Sequence, residues 1–175
     1  ATMKPACTWI GHATVLMQAG GLNILTDPVF SHRASPFSFA GPARHMPPAF
    51  GIGSLPQIHL ILISHNHYDH LDVASVKALN AIGGEPPLFV VTLGLAKWLR
   101  RLGVRHVVEL DWWDVHDVVT PAGQAEVVLV PAQHWSGRGP GDHMRTLWGG
   151  FAVFTEDCHF IYTGDTGYSP DFADI

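Results

Sequence analysis

Ile58-His59-Leu60-Ile61-Leu62-Ile63-Ser64-His65-Asn66-His67-Tyr68-Asp69-His70 sets an apolar run directly before three imidazoles and a carboxylate. A short continuous apolar run closed by polar residues reads as a strand buried on both faces. Neutral imidazole nitrogens and carboxylate oxygens suit a divalent ion such as zinc. Side chains at i and i+2 of an extended backbone project to one side, so His65 and His67 can share one ion. The chain must turn after the strand, which lets Asp69 and His70 face a second ion a few ångströms away, as in paired-metal hydrolytic sites. With 12 histidines in 175 residues some clustering arises by chance. An ordered quartet at the end of an apolar strand is a narrower pattern, and it favours a metal site over a polar surface loop.

Two distant segments have the form that such a site needs. Val127-Val128-Leu129-Val130 reads as a buried strand, and Pro131-Ala132-Gln133-His134-Trp135 puts His134 at its end, a third imidazole for His65 and His67. His159-Phe160-Ile161-Tyr162-Thr163 reads as a strand running into Gly164-Asp165-Thr166-Gly167. The glycines let the backbone turn tightly, so that Asp165 can approach both ions and bridge them. Each segment alone is common; the order of all three is not.

Outward from these motifs, Thr14 to Gln18 and Leu22 to Thr26 read as a hairpin around Ala19-Gly20-Gly21. Asp72 is placed to cap a helix through about Ile82, with Gly83 just beyond, and Leu95 to Leu102 reads as a helix closed by Gly103. Further strands are expected at Leu88 to Val91, Val104 to Leu110, Val115 to Val119, Gln124 to Val130, Gly150 to Thr155 and His159 to Thr163. Strands interspersed with helices, with the chemistry at strand ends, predict a layered α/β fold. Asp27 to Gln57 is the exception: 31 residues with six prolines and no period. Irregular segments of that length are usually functional or disordered. Its Phe30, Phe37, Phe39, Met46 and Phe50, interleaved with Arg33 and Arg44, either wrap the core or form a rim that receives acyl chains and a phosphate. Asp27 is read either as an acceptor orienting a metal-bound histidine or as a turn-forming Asp-Pro.

A net charge of −5 with no Lys/Arg run argues against a nucleic-acid partner and so against a nuclease. Two cysteines, Cys7 and Cys158, are too few for a disulfide scaffold. The first ten residues lack the pattern of a signal peptide, and no apolar run approaches the roughly 20 residues of a membrane span. The expected location is therefore the cytoplasm, with or without membrane association. About 70% of the unfolded surface can be buried at this length, so residues 1–175 are expected to be one domain or part of one.

His65-x-His67-x-Asp69-His70, then His134, then Asp165 resembles the ligand set of the metallo-β-lactamase fold hydrolases. Thr8-Trp9-Ile10-Gly11-His12-Ala13-Thr14, Leu25-Thr26-Asp27-Pro28-Val29-Phe30-Ser31, Ile63 to Asp72, Glu109-Leu110-Asp111-Trp112-Trp113, Gln133-His134-Trp135 and Gly164-Asp165-Thr166-Gly167-Tyr168 are similar to the N-acyl-phosphatidylethanolamine phospholipase D branch. The resemblance implies the N-terminal portion of an αββα sandwich holding two Zn2+ on His65, His67, Asp69, His70, His134 and Asp165. It implies a zinc-dependent hydrolase in which a metal-bridging hydroxide attacks the phosphodiester of an N-acyl-phosphatidylethanolamine-like lipid, with peripheral membrane contact. Asp69 and Asp165 are the expected catalytic carboxylates, and His12 is a further catalytic candidate.

Family members carry a last histidine well after the Gly-Asp-Thr-Gly segment, and Tyr168 to Ile175 contains none. The domain is therefore expected to be incomplete at its C-terminus, with an additional C-terminal segment or a partner in a homo-oligomer completing the second site. Three alternatives stand beside the phospholipase reading: a lactonase on the same scaffold, a non-catalytic fragment or binding module, and a diiron electron-transfer protein. A glutamate would be expected at position 67 in the last, and His67 argues against it. Trp112 and Trp113 are expected in the core or a subunit contact, and Tyr68 and Tyr168 in packing.

Overall fold

The computed structural model describes residues 4–175. Its strands are β1 (Ala6–Gly11), β2 (Thr14–Ala19), β3 (Leu22–Thr26), β4 (Leu60–Ile63), β5 (Leu88–Thr92), β6 (Val107–Leu110), β7 (Val115–Thr120), β8 (Gly123–Val130), β9 (Gly150–Thr155) and β10 (His159–Tyr162). The helices are α1 (Val73–Asn80) and α2 (Ala96–Arg101). One sheet has six strands in sequence order, antiparallel from β1 to β3 and parallel from β3 to β6. The other is antiparallel in the order β10-β9-β8-β7.

β4 lies inside the six-stranded sheet, and its residues are wholly buried, alternate ones serving different cores. Ile61 and Ile63 face the helices with Val76, Leu79, Phe89, Val91 and Leu99. Leu60 and Leu62 face the second sheet with Ile24, Val90, Val127, Leu129, Phe151 and Val153. Each such side chain contributes about 1.5–3 kcal/mol by burial, which makes β4 a rigid stem for the residues that follow it.

The order of layers is helix, sheet, sheet. Asp72 caps α1 by accepting from Ala74 N, as its position predicts, but the helix ends at Asn80 with Ala81 as its cap, so Gly83 has no capping role. α2 is one residue shorter at each end than Leu95 to Leu102, and Gly103 takes the left-handed conformation (φ +94) that stops it. Among the described residues no helix covers the outer face of the four-stranded sheet. Val115, Val128, Ala152 and Ile161 stand in register across that face, with Val115 54% and Ile161 51% exposed.

The proline-rich segment divides between its two readings. Phe30 and Phe50 pack against the core beneath the helices. Phe37, Phe39 and Met46 are exposed. Apart from a single bridge, Arg33 to Ala43, and one 3-10 turn, Ile52–Ser54, it has no regular structure.

Candidate metal centre

The ligand candidates hang from the ends of strands in both sheets. His65, His67, Asp69 and His70 follow β4, His134 follows β8 and Asp165 follows β10. A bridge between Gln133 and Gly167 draws the last two segments together. Gly164 has φ +58, and a Cβ there would lie 2.7 Å from Ser64 Cβ. A glycine therefore lets the Asp165 turn close onto the base of the β4 loop.

Three nitrogens converge: His65 Nε2 and His67 Nδ1 are 2.9 Å apart, and His134 Nε2 is 3.2 Å from the first and 3.1 Å from the second. Ligands at about 2.0–2.1 Å from a tetrahedral zinc stand at about this mutual separation. Asp165 lies between this triad and a second group. Its Oδ2 is 3.7 Å from His134 Nε2 and its Oδ1 is 3.2 Å from His70 Nε2. Asp69 Oδ2 is 3.9 Å from His70 Nε2 and 3.0 Å from His12 Nε2. The structure thus brings all six candidate ligands and His12 to one place.

The donor set fits a cation. His70 Nε2, which faces Asp165 and Asp69, is buried without a hydrogen-bond partner, a costly state for a polar atom unless something else satisfies it. The tautomers are set from behind. Asp27, fully buried after β3, accepts from Ser64 N at 2.8 Å, Ser64 Oγ at 2.5 Å, His70 Nδ1 at 2.7 Å and Tyr162 OH at 2.5 Å. Ser64 Oγ, having donated to Asp27, accepts from His65 Nδ1 at 2.9 Å. Both rings therefore carry a proton on Nδ1 and turn Nε2 toward the centre, as hydrogen-bonded metal ligands do. Asp27 holds this place at φ +31, an uncommon conformation for a residue other than glycine.

The electrostatics separate His70 from the other three imidazoles. Burial, with the neighbouring His70, His67 and His134, pushes His65 down to about 2. Burial also lowers His67 and His134. For His70 burial acts in the same direction, but the facing carboxylates of Asp165 and Asp27 outweigh it and raise it to about 10. His70 in turn holds Asp165 well below the usual carboxylate range. Neutral imidazoles and ionised carboxylates are the forms that bind metal, so His65, His67, His134 and Asp165 are ready for an ion while His70 must give up a proton to one.

His12 is half exposed at φ +51 in the turn between β1 and β2. With Asp69 it lines an apolar cavity of about 770 Å3 together with Trp9, Ile10, Val29, Met46 and Pro48. Trp135 stands edge-on to His67 with ring centres 4.1 Å apart. One expectation is corrected, since Tyr168 is 96% exposed and packs on nothing; Trp112 and Trp113 lie at the surface, which rules out the core for them and leaves the subunit-contact reading. Trp112 is tied to its place by donating from Nε1 to Trp148 O at 2.7 Å. Sequence reasoning missed Ser64, Asn66, Arg138 and Tyr162, which support the centre through partners that no spacing rule marks.

Residues 22–174 match the family model described as Beta-lactamase superfamily domain. The chain is similar to N-acyl-phosphatidylethanolamine-hydrolyzing phospholipase D 1 of Caenorhabditis elegans, 41% identical over 92% of this chain and 46% of that protein. It is similar to the mitochondrial N-acyl-phosphatidylethanolamine-hydrolyzing phospholipase D of Saccharomyces cerevisiae, 34% identical over 94% of this chain and 35% of that protein. The chain thus spans less than half the length of either relative. Among solved structures, CmlA, a diiron β-hydroxylase from Streptomyces venezuelae, superposes with a TM-score of 0.65 at 26% identity, over 97% of this chain and 31% of that one.

Proposed function

The chain belongs to the beta-lactamase superfamily domain family, and from that premise we propose that it is the ligand-bearing part of a zinc-dependent phospholipase D-type hydrolase. Its substrate is an N-acyl-phosphatidylethanolamine-like lipid. The position of Asp165 carries this reading. One carboxylate faces the His65, His67 and His134 nitrogens on one side and the His70, Asp69 and His12 group on the other, as a ligand shared by two ions would. His65, His67, His134 and Asp165 would hold one ion, and Asp69, His70 and Asp165 the other. A bound ion pair would supply hydroxide at neutral pH and offset the charge that develops on phosphorus.

The residues of the chain supply the rest. Asp27 and Ser64 hold the His65 and His70 rings with Nε2 inward. His12, hydrogen-bonded to Asp69 in the wall of the apolar cavity, orients that carboxylate and is placed to give a proton to a leaving oxygen. The cavity has the size and lining for an acyl chain. The exposed Trp9 and Met46 on its rim, with Phe37 and Phe39 in the same loop, support contact with a lipid surface.

A second reading, the same centre loaded with iron, is favoured by the similarity to a diiron enzyme. One experiment separates these readings. Zinc and iron are counted per chain in the purified whole protein, alongside turnover of bis(p-nitrophenyl) phosphate, an N-acyl-phosphatidylethanolamine and a lactone. We expect two zinc ions and phosphodiester cleavage. Outer partners of a ligand are worth about 10–100-fold, so Asp165→Ala should cost more than about 100-fold in activity with loss of metal. Wild-type turnover in that variant would end the two-ion reading, and lactone cleavage alone would replace the substrate.

A further inference from the structure

The loop between β4 and α1 carries four of the six ligand candidates, and its backbone has few partners of its own. Two of its carbonyls, those of Asn66 and Leu71, flank the stretch His67 to His70. Both accept from the same nitrogen, Arg138 Nη1, at 2.8 Å and 2.6 Å. The guanidinium lies over the Tyr68 ring, 3.9 Å from its centre, with the Trp98 ring of α2 at 5.3 Å. The segment that bears Arg138 is itself fixed. Asp142 accepts from Arg138 N and Gly139 N at 2.9–3.0 Å, and Gly137 N donates to the Asn66 side chain at 2.6 Å. Arg138 also follows His134 on one continuous segment. The β4 loop and the His134 loop are therefore joined at both ends of the His67–His70 stretch.

We propose that Arg138 is a positioning residue for the metal centre. Forked between two carbonyls, it sets the span of the His67–His70 stretch and so the separation of the ligands on either side of Asp165. This rests on the reading of the site as a metal centre. An arginine suits the task where a lysine does not. Its planar guanidinium keeps its charge when partly buried, stacks on aromatic faces and directs several N–H groups at once, whereas an ammonium is a compact point charge that needs hydration.

The test uses the whole protein with Arg138→Lys, Arg138→Met and, as a control, Val118→Ala, a truncation in the core between the sheets that touches neither loop. Three quantities are read: the chelator concentration that removes half the metal, the visible absorption spectrum of the cobalt(II)-loaded protein, and the melting temperature without metal. Arg138→Met should release metal about 10–100-fold more readily, in the range for residues that orient ligands, with an altered cobalt spectrum. Arg138→Lys should fall between it and wild type. Val118→Ala should melt earlier yet keep the wild-type chelator midpoint and spectrum. Wild-type midpoint and spectrum in Arg138→Met overturn the proposal. So does a Val118→Ala midpoint shifted as far, because the effect would then be one of general stability. Should Arg138→Met not fold, Arg138→Lys decides by the same readouts. A wild-type protein that takes up no divalent ion overturns the underlying metal reading instead, which keeps the two failures apart.

Discussion

Asp27 receives four hydrogen bonds, from Ser64 N, Ser64 Oγ, His70 Nδ1 and Tyr162 OH, and each donor bears on the centre. Asp27→Asn keeps the shape but sets an amide N–H2 against donors. It should weaken metal retention about 10–100-fold, read by chelator titration, and lower stability by about 1–3 kcal/mol, read by urea unfolding. Tyr162→Phe removes one donor and should cost only about 0.5–1.5 kcal/mol. Acidity gives a second prediction. His65, His67 and His134 are held neutral when folded and return to about 6.5 on unfolding. Below about pH 6.5 the unfolded metal-free chain therefore binds protons that the folded one refuses, and stability falls. His70 has the opposite sign: raised to about 10, it stabilises fully below about pH 6.5, and the gain disappears as pH rises through 10. Urea midpoints of the metal-free chain should peak near pH 6.5 and decline on either side. Metal loading near pH 8 should release the His70 proton, measurable by calorimetry in buffers of different ionisation enthalpy.

Elements were legible where burial is two-sided and obscure where it is not. β4 is buried on both faces, so its residues are uniformly apolar and announce themselves. β1 lies at a sheet edge with Ala6, Cys7 and Trp9 exposed, which leaves no alternation to read. The hexapeptide after β4 is visible because its ligands are contiguous. The Asp27–His70 contact spans 43 residues, and the position of Asp27 just after a strand suggests an acceptor for a metal-bound histidine without saying which; the Arg138–Asn66 contact spans 72, and nothing in the types of residue predicts it. The turn after β10 offers a contrast between two glycines that look alike in Gly-Asp-Thr-Gly. Gly164→Ala would force a methyl to within 2.7 Å of Ser64 Cβ and 2.9 Å of Gly149 O at a positive φ. It should destabilise by at least about 1–3 kcal/mol and lower metal content, since Asp165 must move. Gly167 has only ordinary contacts at 3.7 Å, and Gly167→Ala should stay within about 0.5 kcal/mol. Thermal melts and elemental analysis of the two variants check this.

At the scale of the molecule, the two faces of the sandwich differ. The outer face of the six-stranded sheet is covered by α1 and α2, while the Val115, Val128, Ala152 and Ile161 row of the other sheet has no helix over it among the described residues. Residues 1–175 alone should bind a hydrophobic dye through that row, and Ile161→Lys should reduce the signal without a large change in melting temperature. No helix among the described residues is long and apolar enough to cross a membrane. The ligand candidates themselves are split between the sheets: His65 and His67 continue β4 of one, His134 and Asp165 continue β8 and β10 of the other. A cation held by both sets would thus be a cross-link, closing a stretch of chain on the order of 100 residues, which in the chain-entropy account is worth about 4–5 kcal/mol for a covalent tie. Such a fastener makes resistance to unfolding and possession of the ion one property. Proteases would then read out metal loading, cutting the stripped protein first at whichever segment the parted sheets release.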